Sequence, residues 1–346
     1  MAIKRVGILT GGGDCPGLNA VIRAVVRKGI DVFDYEVVGV MEGWKGMMEC
    51  LSQPLDLEKI SGILPKGGTI LGTSRTNPFK NSDGGELLMK NMAAMNLDAL
   101  IAVGGDDTIG VANRLHNDYQ ASVIGVPKTI DNDLAGTDYT FGFDTAINIV
   151  MEAIDRLHST AESHHRVMVV EVMGRDAGWI AVEAGIAGGA DIILIPEEPF
   201  DIEEVCAMLR KRQGRGKNFS IVVVAEGAQP RGGATILQAA EKDAFGHVRL
   251  GGIGNALSSE IEKRTRFETR ATVLGHIQRG GSPTAFDRIL GTRFGIAAID
   301  LVHRGEFGRM VCLRGLKIES IPLKDAVAKL RTVDMELYDI AKVFFG

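Results

Sequence analysis

Short apolar runs alternate with helix-like segments along almost the whole chain, and glycines crowd the junctions between them. Val6-Gly7-Ile8-Leu9 reads as a strand, followed by the glycines Gly11, Gly12 and Gly13 and a helix over about Asn19 to Lys28. Val37 to Met41 is strand-like. Glu86 to Met95 places Leu87, Leu88, Met92 and Met95 near a 3.6-residue period and reads as a helix. Further strands are expected at Ala99 to Val103, Val123 to Val126, Val167 to Val172, Ile192 to Ile195, Ile221 to Ala225 and Ala271 to Leu274. Helices are expected at Thr145 to Ser159, Ile202 to Arg212 and Thr284 to His303. Such alternation predicts an α/β fold, with mostly parallel sheets covered by helices on both faces. In such sheets ligands bind beyond the carboxyl ends of the strands. The junctions are therefore the places to search for chemistry.

Composition narrows the classes. With 346 residues, 45% hydrophobic and 24% charged, the chain is long enough for two domains with sizeable cores. A net charge of -5 gives no sign of a nucleic-acid or membrane surface. Cys15, Cys50, Cys206 and Cys312 are scattered, which argues against a metal cluster or disulfide framework and fits a reducing compartment. No signal-peptide layout or membrane-length apolar run is evident, so a cytoplasmic protein is expected.

The junction after the Val123 to Val126 run is Pro127-Lys128-Thr129-Ile130-Asp131-Asn132-Asp133. It offers an ammonium, a hydroxyl and two carboxylates to whatever lies beyond the strand. Either aspartate could serve as a general base, although an Asp-Asn-Asp string also suits an ordinary turn. The Gly104-Gly105-Asp106-Asp107-Thr108 junction follows another apolar strand. Asp106 there could hold Mg²⁺, which favours carboxylates combined with substrate phosphates. The aspartates could instead cap a helix beginning near Thr108. Gly11 to Gly13, before a helix, could cradle a phosphate or simply form a tight turn. That loop lacks the Gly-Lys-Ser/Thr ending of a Walker A loop and the spacing of a dinucleotide fingerprint.

Two later junctions each bring an arginine and glycines to a strand end: Met173-Gly174-Arg175 and Gly275-His276-Ile277-Gln278-Arg279-Gly280-Gly281. Arginine grips phosphate bidentately. His276 alone would suit a structural role, but beside Arg279 it suits a sugar phosphate. Glu226 ends the Ile221 to Ala225 run and could accept hydrogen bonds from sugar hydroxyls or serve as a surface carboxylate.

As an ordered set, GGGDCPGLNAVIR, GGTILGTSR, GGDDT, PKTIDND, MGRDAGWIA, PEE, AEG and ETRATVLGHIQRGG closely resemble the phosphofructokinase family over nearly the whole chain. The resemblance implies two doubly wound, mostly parallel-sheet lobes with the active site between them. Residues 1–140 would bind the phosphoryl donor, with part of 255–310 returning to that lobe. Residues 141–346 would bind the sugar phosphate, C-terminal helix included. The implied reaction is Mg²⁺-dependent phosphoryl transfer to the 1-hydroxyl of fructose 6-phosphate.

By position, the resemblance makes Asp131 the proton acceptor, flanked by Thr129 and Asp133. It assigns Met173, Gly174, Arg175, Glu226, His276 and Arg279 to the sugar phosphate. Arg166 and Arg270 match arginines supplied by a neighbouring subunit, which implies a homodimer or homotetramer. Gly12, Arg75 and Thr108 fall at the donor, and Asp106 at the magnesium. The chemistry fits, because phosphoryl transfer requires positioning and charge neutralisation more than covalent catalysis.

Members that use ATP typically have glycine at the positions of Asp107 and Lys128. Members that use diphosphate typically carry aspartate and lysine, as here. A carboxylate about 4 Å from a nucleotide α-phosphate would cost about 4 kcal/mol at an effective dielectric near ~20. A penalty of about 1.4 kcal/mol is already tenfold in affinity. Asp107 thus excludes by repulsion, while Lys128 suits the diphosphate, and reversible transfer from diphosphate is expected. ATP as the donor is the alternative, with Lys128 merely paired to Asp107. A lipid or NAD kinase would not require PKTIDND or GHIQRGG. A nicotinamide-dependent dehydrogenase would require the missing G-x-G-x-x-G. A non-catalytic sugar-phosphate sensor would have no use for both Asp106 and Asp131.

Overall fold

The computed structural model describes residues 3–233, 237–242 and 248–346. The chain opens with β1 (Arg5–Thr10), α1 (Leu18–Phe33), β2 (Glu36–Val40), α2 (Trp44–Glu49), β3 (Ser52–Leu55) and α3 (Gly84–Ala94). It continues through β4 (Ala99–Gly104), α4 (Asp106–Tyr119), β5 (Val123–Thr129), β6 (Phe141–Gly142), α5 (Phe143–His164) and β7 (Val167–Val172). Next come α6 (Trp179–Ala187), β8 (Ile192–Leu194), α7 (Ile202–Gly214), β9 (Ser220–Ala225), β10 (Leu237–Lys242), β11 (Val248–Leu250) and α8 (Ile253–Thr265). The last elements are β12 (Thr269–Val273), α9 (Ala285–Arg304), β13 (Arg309–Arg314), β14 (Lys317–Pro322), α10 (Leu323–Ala326) and α11 (Met335–Lys342).

Among the described residues, two larger sheets carry the fold. The first has the order β14-β13-β5-β4-β1-β2-β3, with β6 beside the end of β5. Its centre is parallel, and only the β2–β3 and β13–β14 pairs are antiparallel. The second, β12-β7-β9-β8, is parallel throughout. β4, β7 and β9 are buried along their whole lengths, as expected of parallel strands covered on both faces. Their Val, Ile, Leu and Ala content made them legible as unbroken apolar runs.

The helix α5 leaves the first sheet at β6 and delivers the chain to β7 in the second. The return to the first sheet begins inside 255–310, with α9, and runs on beyond it through β13 and β14, so residues 141–346 do not all belong to the second lobe. α8 packs on β7, β12 and α7, within the second sheet's layer. α9 packs along α1, and β13 and β14 then extend the first sheet. The C-terminal α11 goes back to the second lobe, against α6 and β8. The reason lies in the apolar faces available. Leu290, Phe294, Ala298 and Ile299 of α9 are buried in the core they share with Val21, Ile22 and Val25 of α1.

Two boundaries also shift. β5 runs on through Pro127, Lys128 and Thr129, because Lys128 and Thr129 pair with Phe141 and Gly142. α4 begins at Asp106 rather than near Thr108. Its N-cap is Gly105 and no side chain caps it, so capping does not account for the aspartate pair.

The α1–α9 contact depends on glycine. A Cβ on Gly295 would lie 2.6 Å from the Val21 carbonyl oxygen and 2.8 Å from Ala24 Cβ, so the backbones approach too closely for any larger residue. Gly295→Ala is expected to cost about 1–3 kcal/mol through overpacking, read as an earlier thermal transition. An unshifted midpoint would show that the two helices are not so closely apposed.

Candidate active site

The first sheet's register sets the donor side. Thr10 pairs with Val103, and Gly104 with Pro127, so three adjacent strands end at one level. Gly11 to Gly13, the Gly105–Asp106 turn and Lys128 therefore converge. The Gly11 N–H donates to the Val103 carbonyl (2.9 Å), and the Gly12 N–H to Ser74 O (3.1 Å). The Thr73 hydroxyl donates to Gly12 O (2.6 Å), tying the first loop to the segment that carries Arg75. Thr108 is buried beneath Gly11 and Gly104. A Cβ at Gly11 would come within 2.6 Å of its Oγ1, so Thr108 supports the loop from below.

Lys128 is only 4% exposed, and its ammonium donates to the Gly13 carbonyl. Burial pushes its pKa down, while Asp14 and Asp131 act to restore it. The guanidinium of Arg279 lies against Gly13, where a Cβ would overlap its Nη1. Arg279 thus reaches the donor loop as well as Asp131, whose charge it opposes.

Asp131 carries the most informative defect. One carboxylate oxygen, Oδ1, is buried without a hydrogen-bond partner, and natural proteins rarely leave such a group without a reason. The Asp131 N–H donates to Thr129 Oγ1 (3.0 Å), which orients the turn. Burial pushes the Asp131 pKa up, opposed by Arg279 and Arg175. Burial, reinforced by Asp131, raises the pKa of Asp133 to about 7. Asp106 is near enough to add to that effect.

The second sheet supplies the facing wall. Met173, Gly174 and Arg175 follow β7, and Glu226 follows β9. Gly174 has φ +128°, a conformation L side chains rarely adopt. Glu226 N–H donates to Val172 O (2.8 Å) and Gly227 N–H to Gly174 O (3.1 Å), locking the two loops together. Burial raises the Glu226 pKa to about 7, with Asp131 adding to the effect and Arg175 opposing it. Glu226, Asp131 and Arg175 therefore share one cleft. The Nε atoms of Arg175 and Arg279 are buried without partners.

Sequence reasoning passed over Gln278. It is fully buried, accepts from Met173 N–H (3.2 Å) and donates to Gly275 O (3.0 Å), so it joins the turn at 275–279 to the loop after β7. His276 lies exposed on that same turn.

Arg166 and Arg270 are not brought to this cleft. Arg166 precedes β7 and Arg270 is the second residue of β12, whereas Met173 follows the far end of β7. A six-residue strand spans about 20 Å. Both arginines pair with Glu268 at 2.7 Å on the opposite edge of the sheet.

Among the described residues, no three His, Cys, Asp or Glu side chains are grouped as a protein-only metal cage. Mg²⁺ needs no such cage when substrate phosphates supply ligands. Asp106, in the first turn of α4 and within electrostatic reach of Asp133, fits a carboxylate ligand for it. Among the described residues, no helix is long and apolar enough to cross a membrane.

Comparison with known proteins matches residues 5–302 to the family model described as Phosphofructokinase. The chain is 59% identical, over 99% of its length and 100% of the relative's, to a protein of Streptomyces coelicolor named pyrophosphate–fructose 6-phosphate 1-phosphotransferase. It is 53% identical, over 95% of its length and 96% of the relative's, to the ATP-dependent 6-phosphofructokinase 3 of that organism. Among solved structures it superposes on Pichia pastoris phosphofructokinase in the T-state with a TM-score of 0.84 and 30% identity. That match covers 99% of this chain and 36% of the other.

The raised carboxylate has a measurable signature. Asp133 titrates at about 7 when folded, against roughly 3.9 in an unfolded chain. Between these values the folded state keeps a proton that the unfolded state has released, so stability falls as pH rises through the window. Asp133→Asn is expected to be more stable than the parent, by a margin that widens from about pH 4 to about pH 8. Thermal denaturation without ligands checks this, and a constant margin would show that Asp133 titrates like an ordinary carboxyl.

Proposed function

The chain belongs to the phosphofructokinase family, and from that premise we propose that it transfers a phosphoryl group reversibly from diphosphate to the 1-hydroxyl of fructose 6-phosphate. The observation that carries the chemistry is the buried, unpartnered oxygen of Asp131 at the meeting of the two sheets. A carboxylate held short of solvent, with a raised pKa, suits a general base once substrate brings a hydroxyl into reach. Arg175 and Glu226, on the facing wall, suit the sugar phosphate and its hydroxyls. Met173 and Gly174 shape the same wall, and His276 and Arg279 close it from the 275–279 turn. Thr129 and Asp133 flank the base.

On the donor side, Gly12, Arg75 and Thr108 build the loop that receives diphosphate. Lys128 and Arg279 present positive charge at Gly13, where the transferring group's anionic oxygens would lie. Asp106 would hold Mg²⁺ together with the donor's oxygens, and the ion supplies neutralisation of the charge carried by the transferred phosphoryl. The two lobes divide the work, the first sheet holding the donor and the second the sugar. Arg166 and Arg270, on the far edge of the second sheet, would serve the cleft of a neighbouring subunit, in a homodimer or homotetramer working in the cytoplasm.

Diphosphate is the preferred donor because Asp107 and Lys128 depart together from glycine. Asp107 places a second carboxylate in the first turn of α4, and Lys128 fills the space under Gly13. ATP is the second reading, supported by the relative named ATP-dependent at 53% identity.

Purified protein assayed with each donor, in both directions, is expected to show the higher kcat/KM with diphosphate. A higher value with ATP would assign the other donor. Asp107→Gly should raise ATP use, and unchanged ATP activity would rule out repulsion as the source of selectivity. Asp131→Asn should lower kcat by about 10²- to 10⁴-fold, the span typical of a lost general base. Near-parental turnover in that variant would remove Asp131 from the role.

A further inference from the structure

The segment between α10 and α11 runs from the first lobe back to the second, and one residue of it touches both. The Arg331 N–H donates to Asp133 O at 2.7 Å, and Arg331 Nη1 to Asn132 O at 3.3 Å. Leu330 forms an isolated antiparallel bridge with Leu134. On the other side, the Trp179 indole N–H donates to Arg331 O at 3.1 Å, and the guanidinium carbon sits 4.2 Å from the centre of the Trp179 ring. Trp179 is the first residue of α6, four positions after Arg175.

Two residues on, the segment is anchored again. The Val333 N–H donates to Glu197 Oε1 at 2.9 Å, and both oxygens of Glu197 accept from Gly178 N–H at 3.1 Å. Glu197 belongs to the Pro196-Glu197-Glu198 motif, to which the chemistry above gives no task.

We infer that residues 330–333 form a strap that sets the spacing between the Asp131 loop and the Met173–Arg175 loop, with Arg331 its positioning residue and Glu197 its anchor. This rests on the reading of Asp131 as the base. The local backbone shows what the strap holds. Asn132, between the two aspartates, has φ +51°, in the left-handed region, which asparagine adopts more readily than most side chains because its short polar side chain can bond locally. Its side chain accepts from Thr140 N–H at 3.1 Å, and its carbonyl and that of Asp133 accept from Arg331. The turn that carries Asp131 and Asp133 is thus held from outside.

Arginine suits the position because its planar guanidinium can lie on a ring and still donate in its own plane. The strap makes none of these contacts to Gly11–Gly13 or Lys128. Loosening it should therefore misplace the base relative to the sugar and leave donor binding alone.

The full chain carrying Arg331→Ala, Arg331→Met or Arg331→Lys tests this, each compared with the parent using whichever donor the parent prefers. Methionine can still cover Trp179 but cannot donate to Asn132, and lysine keeps a cation and a donor. The expected result is a kcat loss of about ten- to hundredfold in the alanine and methionine variants. The donor KM should stay within about twofold of the parent, since a positioning defect is not a binding defect. Lysine should recover part of the kcat, and Glu197→Gln should show a smaller loss of the same kind.

A folded Arg331→Met with parental kcat would overturn the strap, as would a donor KM that rises as steeply as kcat falls. A lysine no better than methionine would assign the effect to bulk and overturn it too. If the alanine variant does not fold, the methionine and lysine variants decide. Failure of the diphosphate reading is seen separately in the parent's donor preference, and failure of the base assignment in Asp131→Asn.

Discussion

Parallel pairing with an aligned register is the constraint from which the site follows. Thr10 faces Val103 and Gly104 faces Pro127, so the chain leaves three neighbouring strands at one height. Had any strand slipped by a residue, its side chains would have changed faces, and Lys128 could not lie under Gly13. The second sheet repeats the device: Val172 pairs with Ala225, which places Gly174–Arg175 against Glu226–Gly227. Neither sheet contains a complete site. Each presents loops, and the cleft exists where the two sets of loops face one another.

What fills that cleft is charge withdrawn from water. Burial raises the pKa values of Asp131, Asp133 and Glu226 and lowers that of Lys128, the direction expected when desolvation outweighs pairing. The arginines at 175 and 279 oppose the shifts on Asp131 and Glu226 without cancelling them. Clustered carboxylates with raised pKa values destabilise the empty protein at neutral pH. A phosphorylated substrate and a divalent cation would complete this arrangement, since each supplies charge that the protein alone leaves unbalanced. Strain of this kind persists only where the surrounding structure enforces it. Here the enforcement is visible in Gln278, Glu197 and Arg331, which hold the loops of the cleft in place.

Much of this was legible in the sequence, for a physical reason. A central parallel strand must be apolar on both faces, so β4, β7 and β9 announce themselves as runs of Val, Ile, Leu and Ala. A backbone turning sharply beside phosphate-sized space must be glycine, so the junctions announce themselves too. Edge elements carry neither signal. β3 is four residues long with Pro54 inside it, and β14 mixes polar and apolar side chains on a sheet margin. The return of α9 to the first lobe was expected only from the family resemblance, because the apolar face of α1 that it covers lies some 270 positions away in sequence. Arg331 and Glu197 were invisible as functional residues for a related reason. Their partners are mostly backbone groups, and backbone partners leave no mark on residue identity at the other end of the contact.

Among the described residues the chain crosses between its lobes three times, and each crossing is tied to the cleft or to its support. α5 begins beside β6, where Thr145 donates from its N–H (2.8 Å) and its hydroxyl (2.5 Å) to the buried Asp287 of α9. The 275–279 turn carries Gln278 and Arg279, and the strap carries Arg331. A cleft braced at three points can hold one spacing, which suits chemistry that depends on placement. Bracing does not bring Arg166 and Arg270 to the cleft, because they remain paired with Glu268 on the far edge. If those arginines serve a neighbour's cleft, an incoming phosphate must compete with Glu268 for both. Glu268 is a partly exposed carboxylate whose pairing is screened by water, so it is a weak competitor for two guanidinium groups.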